Sequence, residues 1–226
     1  MVKGSNGITR AGKPALQARS AETLERILLA TEDLLADHEF DEISIAQIAS
    51  RAGCAVGTVY GRVTNKEHLL YCLNERYMTH AAERAAEAFG VLGDADLVER
   101  VESLCELMVS LVHEHRGVIR AVMNHLYTSP SQAANEILGP MRRDATSMFR
   151  AGATILAEGM PGGANTQNQA SCEFALLAAQ DVTQGRIVFG NRSGLALKYS
   201  LKELKRRTAE LILRYLSVYP QAPAPE

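Results

Sequence analysis

The chain has 226 residues, a formal net charge of −2 and 46% hydrophobic residues. This composition is typical of a folded globular protein and argues against a disordered, collagenous or mucin-like chain. The longest apolar run, Phe174 to Ala179, is far shorter than the ~18 residues of a membrane helix. Residues 1–20 also lack the apolar core of a signal peptide. We therefore expect a cytoplasmic protein with one large domain or two small ones.

Charge is distributed unevenly along the first third of the chain. Residues 1–20 carry four basic and no acidic side chains, and residues 22–42 carry eight acids and one base. Residues 43–66 again contain bases, namely Arg51, Arg62 and Lys66, and no acid. Two basic segments on either side of an acidic helix indicate an anionic partner that meets a small part of the surface. The basic tail is either solvated or in transient contact with that partner.

The first four helices are predicted from apolar periodicity and from capping residues. Leu24, Ile27, Leu28, Thr31, Leu34 and Leu35 form the apolar face of a helix that we expect to begin after an N-cap at Ser20. Capping boxes at Ser44–Gln47 and Thr64–Glu67 open two further helices. Between them, a turn at Gly53 precedes a short helix that begins near Ala55.

Five more helices are expected after residue 90. Their apolar stripes lie at about 97–111, 118–126, 137–156, 169–188 and 201–216. No run of alternating residues demands a strand. The sequence therefore predicts an all-α protein of about nine helices.

Enzyme and metal motifs are missing from the sequence. It contains no H-E-x-x-H, G-x-S-x-G or G-x-G-x-x-G, and no E-x-x-H pair. His113 and His115 are two residues apart, about 200° around a helix, and cannot share one metal. The four cysteines, at 54, 72, 105 and 172, form no C-x-x-C pair and are expected to be free, buried thiols. We predict no catalytic residue, no metal and no cofactor.

The most specific signal lies between residues 44 and 67. A short helix, a tight turn and a second short helix form a helix-turn-helix, at about 45–64, whose second helix fits the major groove of DNA. The candidate DNA-binding residues are Ser44, Ala55, Val56, Gly57, Thr58, Tyr60, Arg62 and Lys66.

Each of these residue types suits a contact with a duplex. Gly57 allows close approach of the backbone, and Thr58 and Tyr60 offer hydroxyl groups. Arg62 can reach a guanine edge or a phosphate, and Lys66 can contact a phosphate. The alternatives are ordinary surface groups, a local hydroxyl-to-backbone bond for Thr58 and a purely capping role for Ser44.

The segments Ile45–Gly53, Gly57–Tyr60 and Lys66–Leu70 closely resemble the tetracycline-repressor (TetR) family. The resemblance covers about residues 20–72. It implies a dimeric repressor that releases its operator when a small ligand enters the C-terminal bundle, with coupling through the helix from Asn65 to about Ala88. Ala55 departs from the family, which usually has a capping Ser or Thr there; such a cap contributes roughly 0.5–2 kcal/mol.

The C-terminal helices are expected to enclose a mainly apolar ligand cavity with a few polar groups. The candidate ligand-binding residues are Met108, His113, Asn124, His125, Tyr127 and Met148. The plainer interpretation of the methionines is that they fill the core. The helix over residues 169–188 is apolar on more than one face, which indicates burial on two sides, against a partner or inside a monomer. The candidate dimer-interface residues are Phe174, Leu177, Ala178, Ala179, Leu204, Leu211 and Tyr215.

Together these features predict a ligand-responsive transcriptional regulator with a DNA-binding domain at 1–66 and a ligand-binding and dimerisation domain at 67–226. We expect a repressor that binds a pseudo-palindromic operator as a homodimer and is released by a small, mainly apolar effector, with no membrane partner. The alternative is a helical ligand-binding or scaffold protein with a vestigial DNA-binding unit. A bundle enzyme is a distant third reading, because the enzyme motifs are missing.

Overall fold

The computed structural model describes residues 12–128, 132–190 and 199–218. Nine α-helices lie in these ranges: α1 Gly12–Leu35, α2 Ile45–Arg51, α3 Val56–Tyr60, α4 Lys66–Gly90, α5 Leu97–Glu114, α6 Arg116–Thr128, α7 Gln132–Glu158, α8 Thr166–Val188 and α9 Leu201–Val218. A 3-10 turn, Phe40–Glu42, precedes α2. The described residues contain no strand, and the all-α prediction is confirmed.

The chain divides into two compact units, Met1–Leu73 and Asn74–Glu226. The division falls within α4, seven residues after the domain boundary predicted between residues 66 and 67. None of the helices in the described ranges is both long and apolar enough to cross a membrane.

The first unit is built on the apolar face of α1. Ile27, Thr31 and Leu35 are fully buried, as the sequence stripe predicts. The predicted start was wrong, because α1 begins at Gly12 and contains Ser20 within the helix. Pro14 does not stop the helix there, since proline is tolerated in a first turn, whose N–H groups have no partner inside the helix.

The short helices α2 and α3 are held by a few large side chains. Helix α1 packs on α2 and α2 on α3, and the buried side chains of this part of the unit are Ile43, Ile48, Val59, Val63, Leu69 and Leu70. Short helices depend on such tertiary packing, because an isolated helix of five or seven residues is not stable in water. The face of α3 opposite Val59 is thereby left outward.

The second unit is a helical bundle centred on α5, which packs against α7, α8 and α9. Its main core consists of Val101, Leu104, Cys105, Leu156, Cys172, Leu176, Ala179, Ile212 and Leu216, with smaller residues between them. Arg100 is also buried, and its guanidinium donates to the carbonyl oxygens of Gly93 and Ile155 and to the Glu158 carboxylate. These bonds satisfy the buried charge and join the loop before α5 to the end of α7.

None of the four cysteines forms a disulfide, but only two match the predicted burial. Cys105 and Cys172 are buried, whereas Cys54 and Cys72 are partly exposed. Burial raises the pKa of Cys105 to about 12, with a smaller contribution from Glu102, and raises the pKa of Cys172 to about 11. The two buried thiols are therefore protonated and unreactive near neutral pH.

Candidate functional site

The turn between α2 and α3 is fixed by local hydrogen bonds. Ser44 caps α2: its hydroxyl oxygen accepts from the Gln47 backbone N–H at 3.2 Å, and the Gln47 side-chain oxygen accepts from the Ser44 backbone N–H at 2.8 Å. This confirms the predicted capping box. At the other end, Gly53 has a φ of +64°. The Cys54 N–H donates to the Ala49 carbonyl and the Gly53 N–H to the Ser50 carbonyl, which is the Schellman pattern.

Helix α3 exposes the residue types that the sequence assigns to DNA contact. Val59 is fully buried and anchors the helix, whereas Val56 and Gly57 are exposed and Tyr60 is 55% exposed. Thr58 is half-buried beside them. Ala55 is exposed at the N-cap and makes no side-chain capping bond. The outward face of α3 is thus small, partly apolar and edged by one aromatic hydroxyl.

The two basic candidates at the end of this segment make contacts within the unit. The Lys66 Nζ lies 4.6 Å from the centre of the Phe40 ring and donates to the Asp41 carbonyl oxygen at 3.3 Å. Partial burial lowers the pKa of Lys66, and the Asp41 charge opposes this with a smaller effect. Arg62 is half-buried, with its Nη1 donating to the Gly61 carbonyl and its Nε buried without a hydrogen-bond partner among the described groups.

Helix α4 is capped differently from the prediction. Asn65 is the capping residue, and its side-chain oxygen accepts from the His68 N–H at 2.7 Å. Thr64 donates its own N–H to the His68 ring at 3.1 Å. The predicted Thr64–Glu67 box was out of register by one residue, because Asn is at least as good a cap as Thr and stands immediately before the helix.

Arg51, the third base of this segment, is paired with α1. Its guanidinium donates to the Asp33 carboxylate at 2.9 Å, and both side chains are exposed. The acidic face of the first helix therefore neutralises one of the bases that the charge distribution singles out.

The second unit contains a cavity of about 430 Å³ between α4, α5, α7 and α8. Its larger lining side chains are apolar or aromatic: Tyr77, Met78, Phe89, Leu104, Leu107, Met108, Leu111, Met148, Phe149, Leu176 and Leu177. The lining residues that carry polar groups are Tyr77, Thr146, Gln180 and Gln184. No Asp, Glu, Lys, Arg or His of the described residues lines it. Burial raises the pKa of Tyr77 to about 12 and keeps its hydroxyl neutral.

The predicted ligand-binding residues divide into two groups. Met108 and Met148 line the cavity, whereas His113, Asn124 and His125 lie outside its lining. The side chain of Tyr127 and the basic tail up to residue 11 are outside the part that the structure describes. Sequence reasoning missed Gln180 and Gln184, although their spacing of four, next to Leu176 and Leu177 on α8, could have indicated them.

His115 has a partner that its own helix does not reveal. The His80 Nδ1 lies 2.9 Å from the His115 Nε2, and the Tyr77 ring lies 5.1 Å from the His115 ring. From the sequence, His113 was considered as a neighbour of His115. In the structure, the imidazole that contacts His115 is that of His80 on α4.

The outer face of α8 and α9 carries an apolar patch, here called the α8–α9 patch, formed by Phe174, Leu177, Leu211 and Tyr215. Phe174 is 59% and Leu177 53% exposed, and the Phe174 and Tyr215 rings lie 5.5 Å apart. Of the other predicted interface residues, Ala178 is half-buried at its edge. Ala179 and Leu204 are buried within the chain. A substitution at either position would therefore disturb folding and would not test dimerisation alone.

Comparison with protein families gives one match in this region. Residues 27–71, which include α2, α3 and the start of α4, match the model of bacterial regulatory proteins, tetR family. Over this segment, about a fifth of the chain, the sequence matches the TetR family. The match spans the capped α2, the Gly53 turn and the exposed α3, so it coincides with the helix-turn-helix geometry.

Solved structures of regulators share the TetR fold over nearly the whole chain. A Saccharomonospora viridis protein in complex with choline has a TM-score of 0.70 and 20% identity, covering 85% of this chain and 96% of that one. A TetR-like transcriptional regulator from Rhodococcus sp. RHA1 has a TM-score of 0.62 and 18% identity, covering 87% and 96%. The regulator FadR from Bacillus subtilis, in complex with stearoyl-CoA, has a TM-score of 0.62 and 17% identity, covering 83% and 96%.

At these identities the likeness establishes the fold and not a shared ligand or operator. A comparison with curated protein sequences finds no match.

Proposed function

We propose that this TetR-family chain is a ligand-responsive transcriptional repressor, and not an enzyme, that binds a pseudo-palindromic operator as a homodimer. The observation that carries the proposal is the exposed face of α3, held by Val59 and by the Schellman turn at Gly53. A rigidly held, outward helix of this kind is what the major groove accepts.

The residues of this face divide into those that position the protein and those that read bases. Tyr60 and Lys66 contact phosphates. To do so, Lys66 gives up its hydrogen bond to the Asp41 carbonyl and donates to DNA instead. Val56 packs on a thymine methyl, and Thr58 donates its hydroxyl. Arg62 donates to a base edge or a phosphate, which gives hydrogen-bond partners to a guanidinium whose Nε has none among the described residues. Ser44 caps α2 and offers its hydroxyl to a phosphate.

The homodimer is proposed to form through the α8–α9 patch. Contiguous exposed apolar surface of this kind marks interaction sites in folded proteins. A two-fold dimer presents two copies of α3, which accounts for an operator with two related half-sites.

The effector is proposed to occupy the cavity of the second unit. Its volume of about 430 Å³ lies within the range of small-molecule sites, and its described lining carries no charged side chain. An ionic group buried there would lack a counter-charge, so the part of the effector inside the cavity is neutral and mainly apolar. Gln180, Gln184 and Thr146 supply its hydrogen bonds. Two proteins of this fold were solved in complex with small molecules, choline and stearoyl-CoA, which supports a ligand-responsive role for this chain.

Selection of bound sequences from randomised duplexes tests the DNA-binding role. The full chain should enrich a two-fold sequence and bind it more tightly than random duplex at ~150 mM salt, with affinity falling steeply as salt rises. Lys66→Ala should weaken binding to all duplexes and reduce the salt slope by about one. Lys202→Ala, which removes a charge from an exposed site on α9, is the matched control and should change neither.

Equal affinity for selected and random duplexes would refute the regulator. It would favour the alternative of a helical ligand-binding or scaffold protein with a vestigial DNA-binding unit.

A further inference from the structure

We propose that His80, Glu114 and His115 form a binding site for one zinc ion in the second unit. One ligand atom from each of the three side chains lies within 4.8 Å of the other two. His80 comes from α4, whereas Glu114 and His115 come from the end of α5. The proposal goes beyond DNA binding and beyond the apolar cavity.

The backbone at the end of α5 brings the two adjacent ligands to one point. Neighbouring residues inside a helix point about 100° apart and do not share a metal. Glu114 is the last residue of α5, and His115 has left the helical conformation with φ −104° and ψ 19°. This helix end explains why a pair of adjacent residues can converge on His80 across the bundle.

The distance between the two imidazoles is close to that of a zinc site. The His80 Nδ1 and the His115 Nε2 lie 2.9 Å apart, where one ring donates a proton to the other. Two nitrogens bound to a tetrahedral Zn²⁺ at ~2.0–2.1 Å lie roughly 3.3 Å apart, so the ion replaces the shared proton after a movement of a few tenths of an ångström. Two imidazoles and one carboxylate are ligands that Zn²⁺ prefers, and water completes the tetrahedron.

Neighbouring groups define what the ion must displace and what it would fix. Glu114 pairs with Arg84 at 3.3 Å, and coordination of Zn²⁺ by one carboxylate oxygen competes with this exposed ion pair. The His115 ring packs against Tyr77, which also lines the apolar cavity. A bound zinc ion therefore joins α4 to the end of α5 beside a wall of the cavity.

Metal titration of the untagged full chain tests the site. We expect one Zn²⁺ per chain by calorimetry, and one Co²⁺ with the visible absorption of a four-coordinate ion. His80→Ala and Glu114→Gln should each weaken Zn²⁺ binding at least ~10-fold, since each removes a ligand. His113→Ala is the matched control, because it removes an exposed histidine of the same helix that is not among the three, and it should bind Zn²⁺ within twofold of the unchanged chain.

Circular dichroism confirms that each variant is folded, and Zn²⁺ should raise the Tm of the unchanged chain and of His113→Ala but not of His80→Ala. If the unchanged chain binds no Zn²⁺, or if His80→Ala and Glu114→Gln bind it as tightly as His113→Ala does, the site does not exist.

Discussion

The two units of the chain differ in the sequence distance over which their candidate sites are built. In the first unit, the bonds that shape the α2–α3 turn join residues three to five positions apart, such as Ser44 with Gln47 and Cys54 with Ala49. In the second unit, the cavity needs four helices, and the contact of His80 with His115 spans 35 positions. The candidate site of the first unit can therefore be predicted from local sequence, whereas the sites of the second unit depend on tertiary packing.

A change in the second unit that removes no proposed DNA contact should give the largest loss of operator binding. Leu177→Arg combined with Leu211→Arg places two charges on the α8–α9 patch and should yield monomers in sedimentation. Affinity for the two-fold duplex should fall at least ~100-fold, because the second half-site no longer binds as part of the same molecule. Val91→Arg, at a residue 83% exposed and outside the patch, is the matched control and should remain dimeric. If the double variant remains dimeric, the dimer interface does not lie on the α8–α9 patch.

Within the first unit, substitution of Arg62 should separate base reading from positioning. Arg62→Ala should relax the preference at one or two base pairs per half-site, by roughly 1–3 kcal/mol if the guanidinium binds guanine through two bonds. Tyr60→Phe should instead weaken all duplexes alike, since its hydroxyl contacts the backbone. The measurement is a competition between selected and single-base-substituted duplexes. If Arg62→Ala leaves the base preference unchanged, Arg62 contacts a phosphate and does not read a base.

The smallest effects should distinguish the two glycines of the motif. Gly53→Ala forces alanine to a φ of +64° and should destabilise the chain by roughly 1–2 kcal/mol in urea unfolding. A Cβ atom added at Gly57 meets no other atom within 4 Å, and the backbone there is ordinary helix. The folding stability of Gly57→Ala should therefore be kept or raised by about 0.5–1 kcal/mol. Its added methyl group should nevertheless weaken DNA binding, because it stands between α3 and the duplex. Unchanged affinity would mean that the backbone at Gly57 does not approach DNA closely.

The same contrast explains which features the sequence could predict. The nine helices and the Ser44 cap depend on periodicity and on residues a few positions apart, so they were predictable. The start of α1 and the cap at Asn65 were misjudged, because Ser20 and Thr64 are good capping residue types although neither stands immediately before the helix.

The sites of the second unit show the limit of that reasoning. His113 and His125 were reasonable polar candidates by residue type, yet Gln180 and Gln184 line the cavity. Nothing in the spacing along α5 indicates His80 as the neighbour of His115. Which faces of α4, α5, α7 and α8 meet is decided by packing of the whole bundle.

Operator affinity measured with and without a bound neutral, apolar compound tests most directly whether the second unit controls the first. Compounds that raise the Tm of the full chain should weaken binding to the selected duplex by roughly 5–150-fold, and the duplex should weaken compound binding by the same factor. Ala85→Leu places a larger side chain in the cavity and should abolish both effects, whereas Ala86→Leu, exposed on the next position of α4, should preserve them. Stabilising compounds that leave operator affinity unchanged would contradict the account.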